Sequence, residues 1–77
     1  MTTAAPPRTW TLGDHLRKAR EMAGISVAEM AMSVGVDRKT INNYERDRTH
    51  VPKLTIEHYA NRTDAPSAWF ANGVRNR

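Results

Sequence analysis

Between Val27 and Arg46 the apolar residues fall into two short clusters at helical spacing. Met30 and Val34 stand four apart, Ile41 and Tyr44 three apart, and Val36 lies between the clusters. Recurrence at i, i+3 and i+4 predicts two short amphipathic helices that pack on one another. Gly35 separates them, where the chain must leave one helix and a positive φ is cheapest for glycine. Ala31 is small at a point of close helix approach.

The same pattern extends in both directions. Leu12, Leu16, Ala19 and Ala23 predict a helix over Leu12–Ala23 with one buried stripe, flanked by Met22. Thr11 is its N-cap, Asp14 stands in the capping-box position, and Gly24 is its stop. Trp10 is expected over the core edge. Ser26-x-x-Glu29 forms a second capping box and opens the next helix, which ends at Gly35. Asp37 caps a third helix that ends near Arg46. A polar loop, Asp47 to Pro52, leads to a fourth helix over Lys53 to Asn61 or Arg62, with Thr63-Asp64 ending it. Its apolar face is thin: Leu54, Ile56, Tyr59 and Ala60. Asp64 or Ser67 caps a last short helix carrying Ala68, Trp69 and Phe70, and Gly73 stops it. Nothing reads as a strand hairpin. The expected class is all-α with five short helices: a flexible tail over 1–10, a domain over 11–73 and a basic tail over 74–77.

Seventy-seven residues hold one small domain. Chains near this size bury only about 60% of their unfolded surface, so every helix must serve one core. Cysteine is absent, which excludes disulfides and thiolate metal sites and fits a cytoplasmic protein. No apolar run approaches the ~20 residues of a membrane span. Met1 to Pro7 lacks the charged and apolar regions of a secretory signal. Net charge is +4, and Arg outnumbers Lys nine to three. That balance favours an anionic partner, nucleic acid being the commonest. His15, His50 and His58 form no His-x-x-x-His pair, and no nucleophile–base constellation stands near them. Surface or phosphate-side roles are expected for the three, with no catalysis, metal or cofactor.

The third helix opens on Arg38 and Lys39 and carries Asn42 and Asn43 on its polar side. Cationic and amide side chains are what phosphates and base edges accept. Between residues 38 and 53 lie five basic side chains and two acids. Arg46, Arg48 and Lys53 would run beside a nucleic-acid backbone or form a solvated face. The hydroxyls of Ser26 and Thr40 serve either as phosphate donors or as caps.

Met30, Ala31, Val34, Gly35, Val36, Ile41 and Tyr44 stand at the core spacing of a known family, and the chain resembles the lambda-type phage repressor and Cro helix-turn-helix proteins with their Xre-like bacterial relatives. Leu12-Gly13-x-x-Leu16-Arg17-x-x-Arg20 looks like that family's first helix, and Ala68-Trp69-Phe70-Ala71-Asn72-Gly73 like its last helix and stop. The resemblance covers about residues 11 to 73. It implies a lambda-repressor-like fold with a helix-turn-helix in the major groove of operator DNA. It places Arg38, Lys39 and Asn43 facing bases, and it implies a partly buried ion pair between Glu45 and Arg20. Three positions depart from the pattern. Val27 stands where the family often has Gln, Asp47 where Gly commonly follows the third helix, and polar Arg62 and Thr63 where Ala and Leu are frequent.

The function so implied is a sequence-specific double-stranded DNA-binding transcriptional regulator, a phage Cro-like protein or immunity repressor in a bacterial cell. One half-site supplies few base contacts, so a homodimer is expected, formed in solution or only on DNA, with Pro66 to Val74 as its surface. No membrane and no small-molecule ligand are expected. The alternative is an antitoxin or restriction-control protein whose main partner is another protein.

Overall fold

The computed structural model describes residues 10–71; the tails expected over 1–10 and 74–77, Trp10 excepted, and Gly73 lie outside the described residues. Five helices follow one another: α1 (Leu12–Met22), α2 (Val27–Val34), α3 (Arg38–Glu45), α4 (Lys53–Thr63) and α5 (Ser67–Ala71). The class is all-α.

Local chemistry sets the helix starts. At α1 the Thr11 hydroxyl accepts from the Asp14 amide while the Asp14 carboxylate accepts from the Thr11 amide. At α2 Ser26 and Glu29 exchange the same two bonds. At α3 the Asp37 carboxylate accepts from both the amide and the hydroxyl of Thr40. Each such cap contributes about 1 kcal/mol by satisfying amides that a helix start leaves unpaired. The Glu29 carboxyl lies below its usual range because the Ser26 amide donates to it, and Asp37 lies below its range chiefly because the Thr40 hydroxyl does. The turn between α2 and α3 depends on Gly35, whose φ of 91° lets the Gly35 and Val36 amides both reach the Ala31 carbonyl.

The core is built from all five helices. Leu12, Leu16 and Ala19 of α1, Met30 and Ala31 of α2, Ile41 and Tyr44 of α3, Val51, Tyr59 of α4 and Phe70 of α5 form one buried cluster. Val34, Val36, Ile56 and Trp69 pack against it. Leu16, Met30, Ile41 and Phe70 lose almost all contact with solvent, which stabilises the fold by about 1.5–3 kcal/mol each. Helix α3 lies against both α1 and α2, and α1 also packs on α4 and α5.

Several expectations need correction. Ala23 is exposed, because α1 ends at Met22 and Ala23 is its C-cap, so the stripe stops at Ala19. Leu54 is 78% exposed. The inward face of α4 is set by Thr55 and Tyr59, one helical turn apart, and Leu54 projects from the opposite side. Helix α4 runs on to Thr63, with Asp64 as a left-handed C-cap at φ 62°. Asp64 therefore ends α4, and Ser67 is already inside α5. His15 is no surface residue: it is 4% exposed, packed edge-on against Trp10 and Trp69. Its Nδ1 lies 2.9 Å from the Thr11 carbonyl oxygen. A carbonyl only accepts, so Nδ1 carries the proton. His58 links α4 to α2 through a 2.9 Å hydrogen bond between Nε2 and the Ser33 hydroxyl.

Candidate nucleic-acid interface

Helix α3 has two unlike faces. Ile41, Tyr44 and Glu45 point inward. Arg38, Asn42 and Arg46 succeed one another at four-residue steps on the outward side, and Lys39 and Asn43 form a second such row beside them. Arg38, Lys39 and Arg46 are exposed, and the two asparagines are half-buried. Five side chains that can donate to phosphate oxygens or base edges thus share one helix face. Arg48 and Lys53 follow on the loop and at the start of α4, both exposed.

The hydroxyls of Thr40 and Ser26 are placed differently. Thr40 donates its hydroxyl to Asp37 at 2.6 Å, so in this arrangement its proton is used within the α3 cap. Ser26 is exposed at the start of α2, its oxygen accepting from the Glu29 amide.

The two acids between residues 38 and 53 are both turned away from this face. Glu45 is buried, and its carboxylate receives Nε and Nη2 of Arg20 at 2.9 and 3.0 Å. The Tyr59 hydroxyl donates to the same carboxylate at 2.7 Å, and Nη1 of Arg20 donates to the Ile25 carbonyl at 2.9 Å. The side chains of Arg20 and Glu45 are 11% and 5% exposed, so the pair is held largely out of water. A forked guanidinium–carboxylate pair of this kind fixes orientation as well as charge. The network ties α1, the α1–α2 turn, α3 and α4 together behind the outward face. The hydrogen bond to Glu45 raises the Arg20 guanidinium above its ordinary value, outweighing the burial that opposes it. Asp47 is folded back onto α1, its carboxylate accepting from the Gly13 amide at 3.0 Å and from the Thr11 hydroxyl. The two acids within the cationic run are thus both withdrawn from its outer face.

Burial pushes the Tyr59 hydroxyl well above its usual value, and its bond to Glu45 adds to that. The folded state holds this proton more tightly than the unfolded chain. The corresponding stability is complete below the unfolded value of 10.0 and is lost as pH rises above it. One proton corresponds to about 1.4 kcal/mol per pH unit. Urea midpoints measured from pH 9 to 11 are expected to fall more steeply in the wild type than in Tyr59→Phe. Parallel slopes would contradict this account of Tyr59.

Sequence reasoning did not find Tyr59 or Asp47 as partners of this arrangement. Tyr59 reads only as a core aromatic, whereas Asp47 carries a signal in standing where the helix-turn-helix pattern commonly has Gly. Val27, in place of the usual Gln, packs half-buried against the core.

Two short helices crossing at a left-handed glycine, the second with an apolar inner face and a cationic outer one, define a helix-turn-helix protein. The chain belongs to the helix-turn-helix domain family, whose model matches residues 13–75. Over 49 residues it is 37% identical to an HTH-type transcriptional regulatory protein of Pyrobaculum aerophilum, which covers 64% of this chain and 20% of that protein. Over 39 residues it is 49% identical to an HTH-type transcriptional regulatory protein of Thermococcus gammatolerans, 51% of this chain and 12% of that one. The chain thus spans a fifth or less of these curated relatives. Among solved structures, the restriction-modification controller protein C.AhdI from Aeromonas hydrophila is 27% identical with a TM-score of 0.69, covering 77% of this chain and 86% of that one. The clp gene regulator ClgR from C. glutamicum shares the fold at a TM-score of 0.72 and 24% identity, covering 87% of each chain.

Proposed function

We propose that the chain is a transcriptional regulator that binds double-stranded operator DNA sequence-specifically, with α3 in the major groove. The observation that carries this reading is the outward face of α3, where Arg38, Lys39, Asn42, Asn43 and Arg46 stand together while Glu45 is turned inward. The major groove is about 12 Å wide and admits one such helix. In this pose Arg38 grips a guanine through O6 and N7, Asn43 an adenine through N6 and N7, and Lys39 and Asn42 reach neighbouring edges. Arg46, Arg48 and Lys53 engage phosphates, with Ser26 at the start of α2 as a further donor and Thr40 after release from Asp37. Occupancy of an operator beside a promoter would exclude polymerase, as a Cro-like protein or immunity repressor does.

A two-fold dimer on a pseudo-palindrome would set half-sites about 34–36 Å apart. Its surface would be Pro66 to Val74, of which the described part offers exposed Pro66, Ser67, Ala68 and Ala71. A second reading, control of a restriction-modification system, draws on the likeness to C.AhdI, of which the chain covers 86%. In that reading the chain's main partner is another protein.

Selection of bound duplexes from a random pool, followed by a salt titration on the winner, tests the proposal. An enriched inverted repeat is expected, with log K falling against log salt by about 0.9 for each phosphate neutralised. A single enriched half-site would remove the dimer, and a flat pool would remove sequence-specific binding altogether.

A further inference from the structure

Asp47 is held at φ 58°, in the left-handed region that L side chains other than Asn and Asp rarely enter. It sits just past α3, where the Asp47 amide donates to the Tyr44 carbonyl and the Arg48 amide to the Asn43 carbonyl. These are the two bonds of a Schellman ending, whose left-handed position glycine usually fills. Here the side chain that strains the backbone also has a task. Its carboxylate receives the Gly13 amide at 3.0 Å and the Thr11 hydroxyl, both at the first turn of α1. The Gly13 amide is one of the donors that a helix start leaves unpaired, and a carboxylate there also meets the positive end of the helix. The approach is close enough to exclude a side chain. A Cβ on Gly13 would lie 2.7 Å from Asp47 Oδ2 and 2.7 Å from the Glu45 carbonyl oxygen.

We propose that Asp47 is a positioning residue for nucleic-acid binding: by latching the end of α3 onto the first turn of α1, it seats Arg46 and Arg48 against phosphate. The proposal rests on the reading of α3 as a DNA-reading helix. Arg46 and Arg48 flank Asp47 directly, so their backbones take their direction from the turn that Asp47 closes. The latch also turns the one acid of this loop away from the expected path of the DNA.

The sign of one measurement separates this role from its rival. An acid that merely stood near phosphate would repel it, and its removal would tighten binding. Removal of a latch weakens binding even though the net charge rises by one. Asp47→Gly keeps the left-handed backbone and loses only the carboxylate. It is expected to bind the selected operator about tenfold more weakly at 0.15 M salt, with the salt slope smaller by about 0.9–1.8, the equivalent of one or two lost phosphates. Asp47→Asn tolerates the same backbone and offers an oxygen to the Gly13 amide. It is expected to stay within about threefold of the wild type, less than the loss of one phosphate contact costs at this salt. Tighter binding by Asp47→Gly, or an unchanged affinity and slope in the folded variant at low temperature, would overturn the proposal. Hydrogen exchange of the Gly13 amide reads the latch without DNA: it should quicken in Asp47→Gly and be largely retained in Asp47→Asn. Unchanged exchange in Asp47→Gly removes the latch itself. If the wild type selects no sequence while Gly13 exchange still responds, the reading of α3 has failed and its positioning role goes with it.

Discussion

Glu45→Ala is expected to destabilise the fold by about 3–5 kcal/mol, the usual consequence of deleting one member of a buried, hydrogen-bonded ion pair. The carboxylate has three donors on it: two from Arg20 and one from Tyr59. Alanine leaves a guanidinium that is only 11% exposed and a buried phenol without their acceptor. For a domain of this size each kcal/mol lowers the melting temperature by about 4–8 °C, so a fall of more than about 12 °C is expected. Native domains hold only about 5–15 kcal/mol in total, and a short chain sits near the lower end, so the alanine variant stands close to unfolding. Glu45→Gln keeps an acceptor of the same shape and is expected to lose less. Folded at low temperature, it should still prefer the same DNA sequence as the wild type. Thermal melting together with operator selection checks both statements. Unchanged melting with an altered operator would move Glu45 from the frame of α3 to its reading face.

The same residue shows where the sequence is transparent and where it is not. Thr11 with Asp14, Ser26 with Glu29 and Asp37 with Thr40 close bonds across three residues, so the starts of the first three helices can be read from the chain. Gly35 marks its turn for the same reason: the requirement is local. Helix ends such as Ala23 and Asp64 shift by a residue or so for local reasons, whereas Leu54, His15 and Asp47 depend on distant neighbours. Whether Leu54 or Thr55 faces inward is decided by how α4 sits on α1 and α5, and a hydrophobic tally prefers Leu where the packing selects Thr. His15 is sheltered by Trp69, whose indole N–H donates to the His15 carbonyl at 3.3 Å across 54 residues. Asp47 finds its partners 34 and 36 residues away. The outward residues of α3 are legible as a set because helical spacing alone puts them on one face. Which of them reach bases is not, because that depends on the seat of α3 against DNA.

That seat links stability to recognition. Helix α3 has only eight residues, too short to hold its own direction in water. Its direction comes from Ile41 and Tyr44 packed in the core and from two anchors near its C-terminal end, Glu45 in the Arg20–Tyr59 network and Asp47 on α1. The N-terminal end, where Arg38 and Lys39 project, carries the Asp37 cap and the Gly35 turn. On the proposed reading, recognition is offered at one end of the helix and fixed at the other.

Reversing the charges at that free end, Arg38→Glu with Lys39→Glu, is expected to abolish operator binding without loss of the fold. Both side chains are exposed, and neither belongs to the core. Acids in the first turn interact favourably with the positive end of a helix, so melting should be unchanged or slightly raised. The effect on DNA has the opposite sign. A good base contact is worth about 1–3 kcal/mol, so the loss of two alone implies a weakening between about thirtyfold and twenty-thousandfold. Repulsion of the new acids by phosphate adds to that, most strongly at low salt. The milder Asn43→Ala should weaken preference at one position of the selected sequence and leave the salt slope alone, since an uncharged amide releases no counterion. Fluorescence anisotropy on the selected duplex, with circular dichroism as the control for folding, checks both. A folded double reversal that still bound its operator at wild-type affinity would mean that α3 does not enter the groove by its N-terminal turn, and the interface would then have to be sought on another face of the domain.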